Sequence, residues 1–114
     1  MNILIILNDP PYGTEHDYNG LRLAKALTKK DATLTVFLLA DAVICAKRGQ
    51  KVPQGFYNLE LMLKGISRKG EILLCGACMD ARGIAEEELV EGARRSTLDE
   101  LAEHTLASDK VLVF

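Results

Sequence analysis

The segment Glu71-Ile72-Leu73-Leu74-Cys75-Gly76-Ala77-Cys78-Met79-Asp80-Ala81-Arg82-Gly83 decides how this chain is read. A short apolar run, without polar alternation, ends at the first sulfur. Such a run is the pattern of a strand buried on both faces. A glycine-containing loop over 75–83 then brings the second sulfur close to the first. Thiols placed where a buried strand gives way to a loop, with an arginine nearby, are set for sulfur chemistry as readily as for filling a core.

Similar runs recur along the chain. Residues 2–7 are continuously aliphatic after Asn2, and Thr33 to Leu39 is β-branched and apolar. Residues 92–95 predict a short extra strand, and Val111 to Phe114 a terminal one. Helical spacing lies between them. Asp17 is placed to cap a helix over 18–29, with Leu21, Ala24 and Leu27 on one face. Asp41 caps a short helix through Ala46. Leu59, Met62, Leu63 and Ile66 mark a third helix over 56–68, which Gly70 closes. Thr97-Leu98-Asp99-Glu100 resembles a capping box opening a helix to Ala107, with Leu98, Leu101 and Ala102 inward. Glu86-Glu87-Glu88 predicts a solvated helical turn, and Lys47 to Gly55 a mobile polar loop.

Strands alternating with helices imply right-handed crossovers and a mostly parallel sheet of about five strands with helices on both faces, an α/β fold. The 114 residues fit a single domain over 1–114. In such a sheet ligands bind beyond the carboxyl ends of the strands, where loops 8–17, 40–55 and 75–83 would gather.

Composition narrows the function. A hydrophobic content of 48% and a charged content of 26% are those of a folded soluble protein. A net charge of −2 leaves no basic surplus for nucleic acid or for an anionic membrane surface. No apolar run is long enough to span a bilayer, and the N-terminus reads as a core strand rather than a signal peptide. Three cysteines is an odd count, which predicts a reducing, cytoplasmic setting.

The site candidates follow from thiol chemistry. A reactive cysteine works as its thiolate and needs partial exposure and surroundings that favour negative charge. Cys75 has a flexible Gly76 beside it, together with the amides of the turn and Arg82; the alternative is a small core residue. Cys78 is spaced to attack a sulfur on Cys75, to close a disulfide with it, or to be a passive neighbour. Arg48, Arg82 and Tyr12 are taken as the border of a substrate or anion pocket with Gly76. Cys45 lies between apolar residues and reads as core, His16 as a loop residue or an acid–base group, and His104 as surface. These scattered singletons do not complete a tetrahedral zinc set with the cysteine pair. The turn Asp9 to Gly13 carries neither G-x-G-x-x-G nor a phosphate-binding P-loop, so no nucleotide cofactor is expected.

Several stretches in register resemble one family. Asn8-Asp9-Pro10-Pro11-Tyr12-Gly13, Leu21-Arg22-Leu23-Ala24, Asp41-Ala42-Val43, Arg48-Gly49-Gln50, Cys75 to Ile84, Leu101-Ala102 and Ser108-Asp109-Lys110-Val111-Leu112 look like the DsrE/DsrF-like sulfur-relay proteins, in their YchN-like branch. The resemblance implies a three-layer α/β/α domain assembling into homo-oligomeric rings, trimers or hexamers. It also implies sulfur carried as a cysteine persulfide between sulfur-donor and sulfur-acceptor proteins, without an organic cofactor. The family's carrier cysteine stands eight positions before the glycine of the Arg-Gly step, which from Gly83 is Cys75. The better-understood carriers are hetero-oligomers and often lack a second cysteine three positions on; this chain has Cys78. A thiol–disulfide redox protein using the same pair, and a non-catalytic oligomeric binding module, are the competing readings.

Overall fold

A computed structural model describes residues 1–114. Five strands, β1 (Asn2–Leu7), β2 (Thr33–Leu38), β3 (Glu71–Cys75), β4 (Ala93–Ser96) and β5 (Lys110–Val113), form one sheet in the order β4-β3-β2-β1-β5. Every pairing is parallel, with Leu4 opposite Thr35, Val36 opposite Ile72, Leu74 opposite Arg95, and Ile5 opposite Leu112. The sheet therefore grows in one direction from β1 to β4 and then crosses back to place β5 on the other side of β1.

That reversal divides the helices between the two faces. Helices α1 (His16–Leu27), α2 (Leu59–Ile66) and α3 (Gly76–Ala81) cover one face, and α4 (Leu98–Ala107) the other. The larger core lies on the first face, where Ile3, Ile5, Val36, Leu38, Ile72 and Leu74 meet Leu21, Leu63, Ile66 and Met79. The second is smaller: Leu4, Phe37, Leu73 and Cys75 pack under Leu101 of α4. At Gly20 a Cβ would come within 2.7 Å of the Leu7 side chain and 3.1 Å of the Phe114 ring, so α1 lies on the sheet at a distance only glycine permits.

The local signals succeed where a side chain can reach an amide. The Thr97 hydroxyl accepts the Glu100 N–H at 3.1 Å, and the Asn58 side chain accepts the Leu61 N–H at 3.1 Å, opening α4 and α2. Asn58 also explains why α2 begins at Leu59 rather than at 56. Two expected caps are not caps. Asp17 lies inside the first turn of α1 and is buried, and Asp41 lies within a 3₁₀ segment, Ala40–Ala46, where it pairs with Arg82. The segment after Cys75, expected as a loop, is the helix α3. Leu98 and Ala102, expected inward, are exposed, because only the Leu101 side of α4 faces the sheet.

Asp17 is the buried exception in an apolar core. Its Oδ2 accepts the Cys45 S–H at 3.2 Å, while its Oδ1 has no partner. Burial above all pushes its carboxyl up to about 6 from 3.8, with Asp9 and His16 as the charged neighbours, and burial also drives the Cys45 thiol strongly upward. A carboxyl whose folded pKa lies above its unfolded one contributes stability that is complete below about pH 4 and is lost as pH rises through about 6. The stability of Asp17→Asn relative to the wild type should therefore be higher at pH 7.5 than at pH 4, by up to about 3 kcal/mol. Urea unfolding at the two pH values measures this; parallel curves for both proteins would contradict it.

Candidate functional site around Cys75 and Cys78

Cys75 is the last residue of β3 and the residue that caps α3. The N–H of Cys78, one turn on, donates to Cys75 Sγ at 3.4 Å. The strand-to-helix switch thus holds the two cysteines on adjoining positions of one tight bend, and both are free thiols. Cys78 Sγ in turn accepts the Ala40 N–H at 3.2 Å, from the end of the neighbouring strand β2. Cys75 is 7% exposed and Cys78 more so. The partial exposure expected for Cys75 is not met: its side chain turns toward the α4 face, in the cluster of Leu73, Phe37 and Leu101.

Two arginines frame the pair. Arg82 donates from Nε to Asp41 Oδ1 at 2.8 Å and from a terminal nitrogen to the Cys78 carbonyl at 3.0 Å. Arg95, which sequence reading passed over, lies against the backbone of Gly76. A Cβ at Gly76 would meet its Nε at 2.7 Å and its Cζ at 2.8 Å. Its two terminal nitrogens hold both oxygens of Asp80 at 2.7 and 2.8 Å, a bidentate pair that keeps the guanidinium in place. The guanidinium is thus held against the residue that follows Cys75. Ser96, next along β4, pairs with Cys75 in register, and its hydroxyl is bound by Glu100. The signal for Arg95 was available: a strand over 92–95 placed beside β3 brings its last residues to the sulfur.

The other expected pocket residues are elsewhere. The Tyr12 hydroxyl accepts the Leu59 N–H at 3.1 Å and donates to Gln50, while its ring stacks on Tyr57 at 5.5 Å. It pins the 47–58 connection. The Arg48 guanidinium donates to the Glu87 carbonyl, and the Arg48 N–H to the Glu88 carbonyl at 2.9 Å, tying that connection to the acidic turn. Cys45 is fully buried on Asp17. His16 begins α1, with Nδ1 2.8 Å from Asp9, and His104 lies 3.9 Å from Glu71 and 4.0 Å from Glu100. No group of three or more histidine, cysteine, aspartate or glutamate side chains is arranged to hold a metal ion.

Over its full length the chain matches one protein family. The family model described as DsrE/DsrF-like matches residues 1–114. The chain belongs to the DsrE/DsrF-like family. Protein YchN from Escherichia coli K12 is 44% identical over 115 residues, covering 98% of this chain and 97% of YchN. The crystal structure of the E. coli ychN protein superposes with a TM-score of 0.93 at 43% identity, covering 100% of this chain and 99% of that one. A protein named sulfurtransferase TusD, from Buchnera aphidicola, is 27% identical over 128 residues and is covered in full, as is this chain. The chain thus has a full-length relative named as a sulfurtransferase, and none of its own helices is long and apolar enough to cross a membrane.

Within this DsrE/DsrF-like protein the second thiol has a defined electrostatic setting. Burial, and next the Cys75 sulfur, push the Cys78 thiol above the ordinary range, while the Ala40 amide and the Arg82 charge pull it back. Raising the pH should therefore switch on Cys78 alkylation later than for an unperturbed thiol. Arg82→Met should move that midpoint further up and slow alkylation at pH 8 by about threefold. Residue-resolved iodoacetamide kinetics check this; a midpoint indifferent to Arg82 would contradict it.

Proposed function

We propose that this protein is a sulfur-relay protein, a sulfurtransferase or sulfur carrier, that accepts and passes on sulfane sulfur as a persulfide on Cys75. The observation that carries the reading is the setting of Cys75 Sγ in a DsrE/DsrF-like chain. It ends an inner strand of the sheet, accepts the Cys78 amide, and is followed by Gly76, against which the Arg95 guanidinium is held. An N–H and a guanidinium at one sulfur are the partners that a persulfide anion, more acidic than a thiol, would use.

Two exchanges make up the chemistry. The Cys75 thiolate attacks the outer sulfur of a donor persulfide, forming Cys75–S–SH, in equilibrium with its anion, as the donor cysteine leaves as its thiolate. An acceptor thiolate then attacks that outer sulfur, and Cys75 leaves as thiolate. In a side path the Cys78 thiolate attacks the inner sulfur, expels hydrosulfide and closes a Cys75–Cys78 disulfide, which a thiol reductant reopens. Cys78 is the more exposed of the two, so a donor would meet the pair from its side, with Arg95 and Gly76 lining the approach.

Donor and acceptor proteins with reactive cysteines are the partners that this reading requires, in a reducing compartment such as the cytoplasm. A homo-oligomer, trimer or hexamer, is part of the same proposal. Leu98, Leu106 and Val113 leave apolar surface on the thinly covered α4 and β5 side, at 64%, 90% and 66% exposure.

Intact mass after incubation with glutathione persulfide tests the assignment. The wild type should gain one sulfur atom, mapped to Cys75, and Cys75→Ala should gain none. Cys78→Ser should load normally and release hydrosulfide about tenfold more slowly, since the path through disulfide closure is gone. Arg95→Met should shorten the life of the loaded form. Normal loading of Cys75→Ser through Cys78 would reverse the roles. Loss of two hydrogens without added sulfur would support thiol–disulfide cycling instead, and an unmodified pair a binding module.

A further inference from the structure

Away from the cysteines, α1 and α2 lie side by side and leave an open groove of about 960 Å³ between their outer faces. Its composition differs from that of the whole molecule. The chain carries a net charge of −2, yet this groove is lined by Arg22, Lys25, Lys29, Arg68 and Lys69 and by no acidic residue. The cations come from both walls, Arg22 and Lys25 on α1 with Lys29 just past its end, and Arg68 and Lys69 just past the end of α2. Between them the surface is apolar, and two of its largest side chains are left in solvent: Phe56 is 68% exposed and Leu61 62%.

The base of the groove is stiff. Tyr18 stacks on Tyr57 with centroids 4.0 Å apart, and the Arg22 guanidinium lies 5.5 Å from the Tyr18 ring centre. The two tyrosine faces are therefore already occupied by each other and by the guanidinium, and what remains free is Phe56 and aliphatic surface from Leu61 and Met62. That surface suits leucine-like side chains better than nucleobases, which need open aromatic faces to stack on. The shape is concave with charge on both rims, which fits a single inserted segment rather than a flat bilayer.

We propose that this groove is a docking site for an acidic amphipathic segment of a partner protein, its apolar side against Phe56 and Leu61 and its carboxylates on the two basic rims. Apolar contact supplies the affinity, and the paired cationic walls select an acidic sequence and speed encounter. The proposal does not depend on the sulfur chemistry at Cys75, because none of the groove residues touches the cysteine pair.

The test uses the full chain, isotopically labelled for NMR. The probe is a synthetic acidic amphipathic peptide with leucines at i, i+3, i+4 and i+7 and glutamates elsewhere. Saturable shifts confined to residues 18–29 and 56–69 are expected. Phe56→Ser should weaken binding about fivefold, and Lys25→Glu/Arg68→Glu/Lys69→Glu by more than about tenfold, with a steep loss on adding salt. All four positions are exposed, and unchanged spectra elsewhere will show that the variants fold. Equal binding of a leucine–lysine or scrambled peptide would overturn the proposal, as would shifts outside the groove or no binding. It would also fall if single-stranded RNA or phosphatidylglycerol vesicles bound more tightly than the peptide. Self-association of the protein alone, abolished by the charge reversals, would likewise overturn it in favour of a second copy.

Discussion

The bidentate pair between Arg95 and Asp80 joins the edge strand of the sheet to the short helix that starts at the first cysteine. In water such an exposed pair contributes little to stability. Its consequence is geometric. Two parallel hydrogen bonds fix a guanidinium plane across Gly76, and a side chain at that glycine would push it away. Glycine at 76 and arginine at 95 are thus one solution to one problem, how to bring a fixed positive charge to the mouth of a strand-end sulfur without burying it.

The rest of the architecture places that sulfur. With every strand parallel, all five carboxyl ends lie along one rim, and the central strands β1, β2 and β3 deliver Leu7, Leu38 and Cys75 to it. The end of β2 then supplies the Ala40 amide to Cys78, and the following Asp41 holds Arg82. The reversal of strand order sends only α4 to the second face. Cys75 faces that smaller core, which is why a thiol at an open rim is nonetheless 7% exposed.

Much of this was legible beforehand. Aliphatic runs without alternation mark buried parallel strands whatever surrounds them, and Thr97 announces α4 by a contact that needs only local backbone. The cysteine pair stood out because a strand, a glycine and a second thiol follow within a few residues. What escaped was set by tertiary packing. Asp17 has the composition of a cap, but the Cys45 thiol draws its carboxylate inward. Leu98 looks like core, but α4 presents only its Leu101 side to the sheet. Tyr12 and Arg48 share the rim with the cysteines in sequence logic, yet their hydrogen bonds commit them to the 47–58 connection and the acidic turn. Arg95 is distant in sequence and becomes a neighbour only through the register of β4 on β3.

The most direct test of the central claim is a crystal structure of the protein after treatment with a persulfide donor. The account predicts electron density for one extra atom on Cys75 Sγ, on the side where Arg95 and the Cys78 amide can hold it. An added atom on Cys78 or Cys45, or a bond joining Cys75 to Cys78 with no guest sulfur, would contradict it.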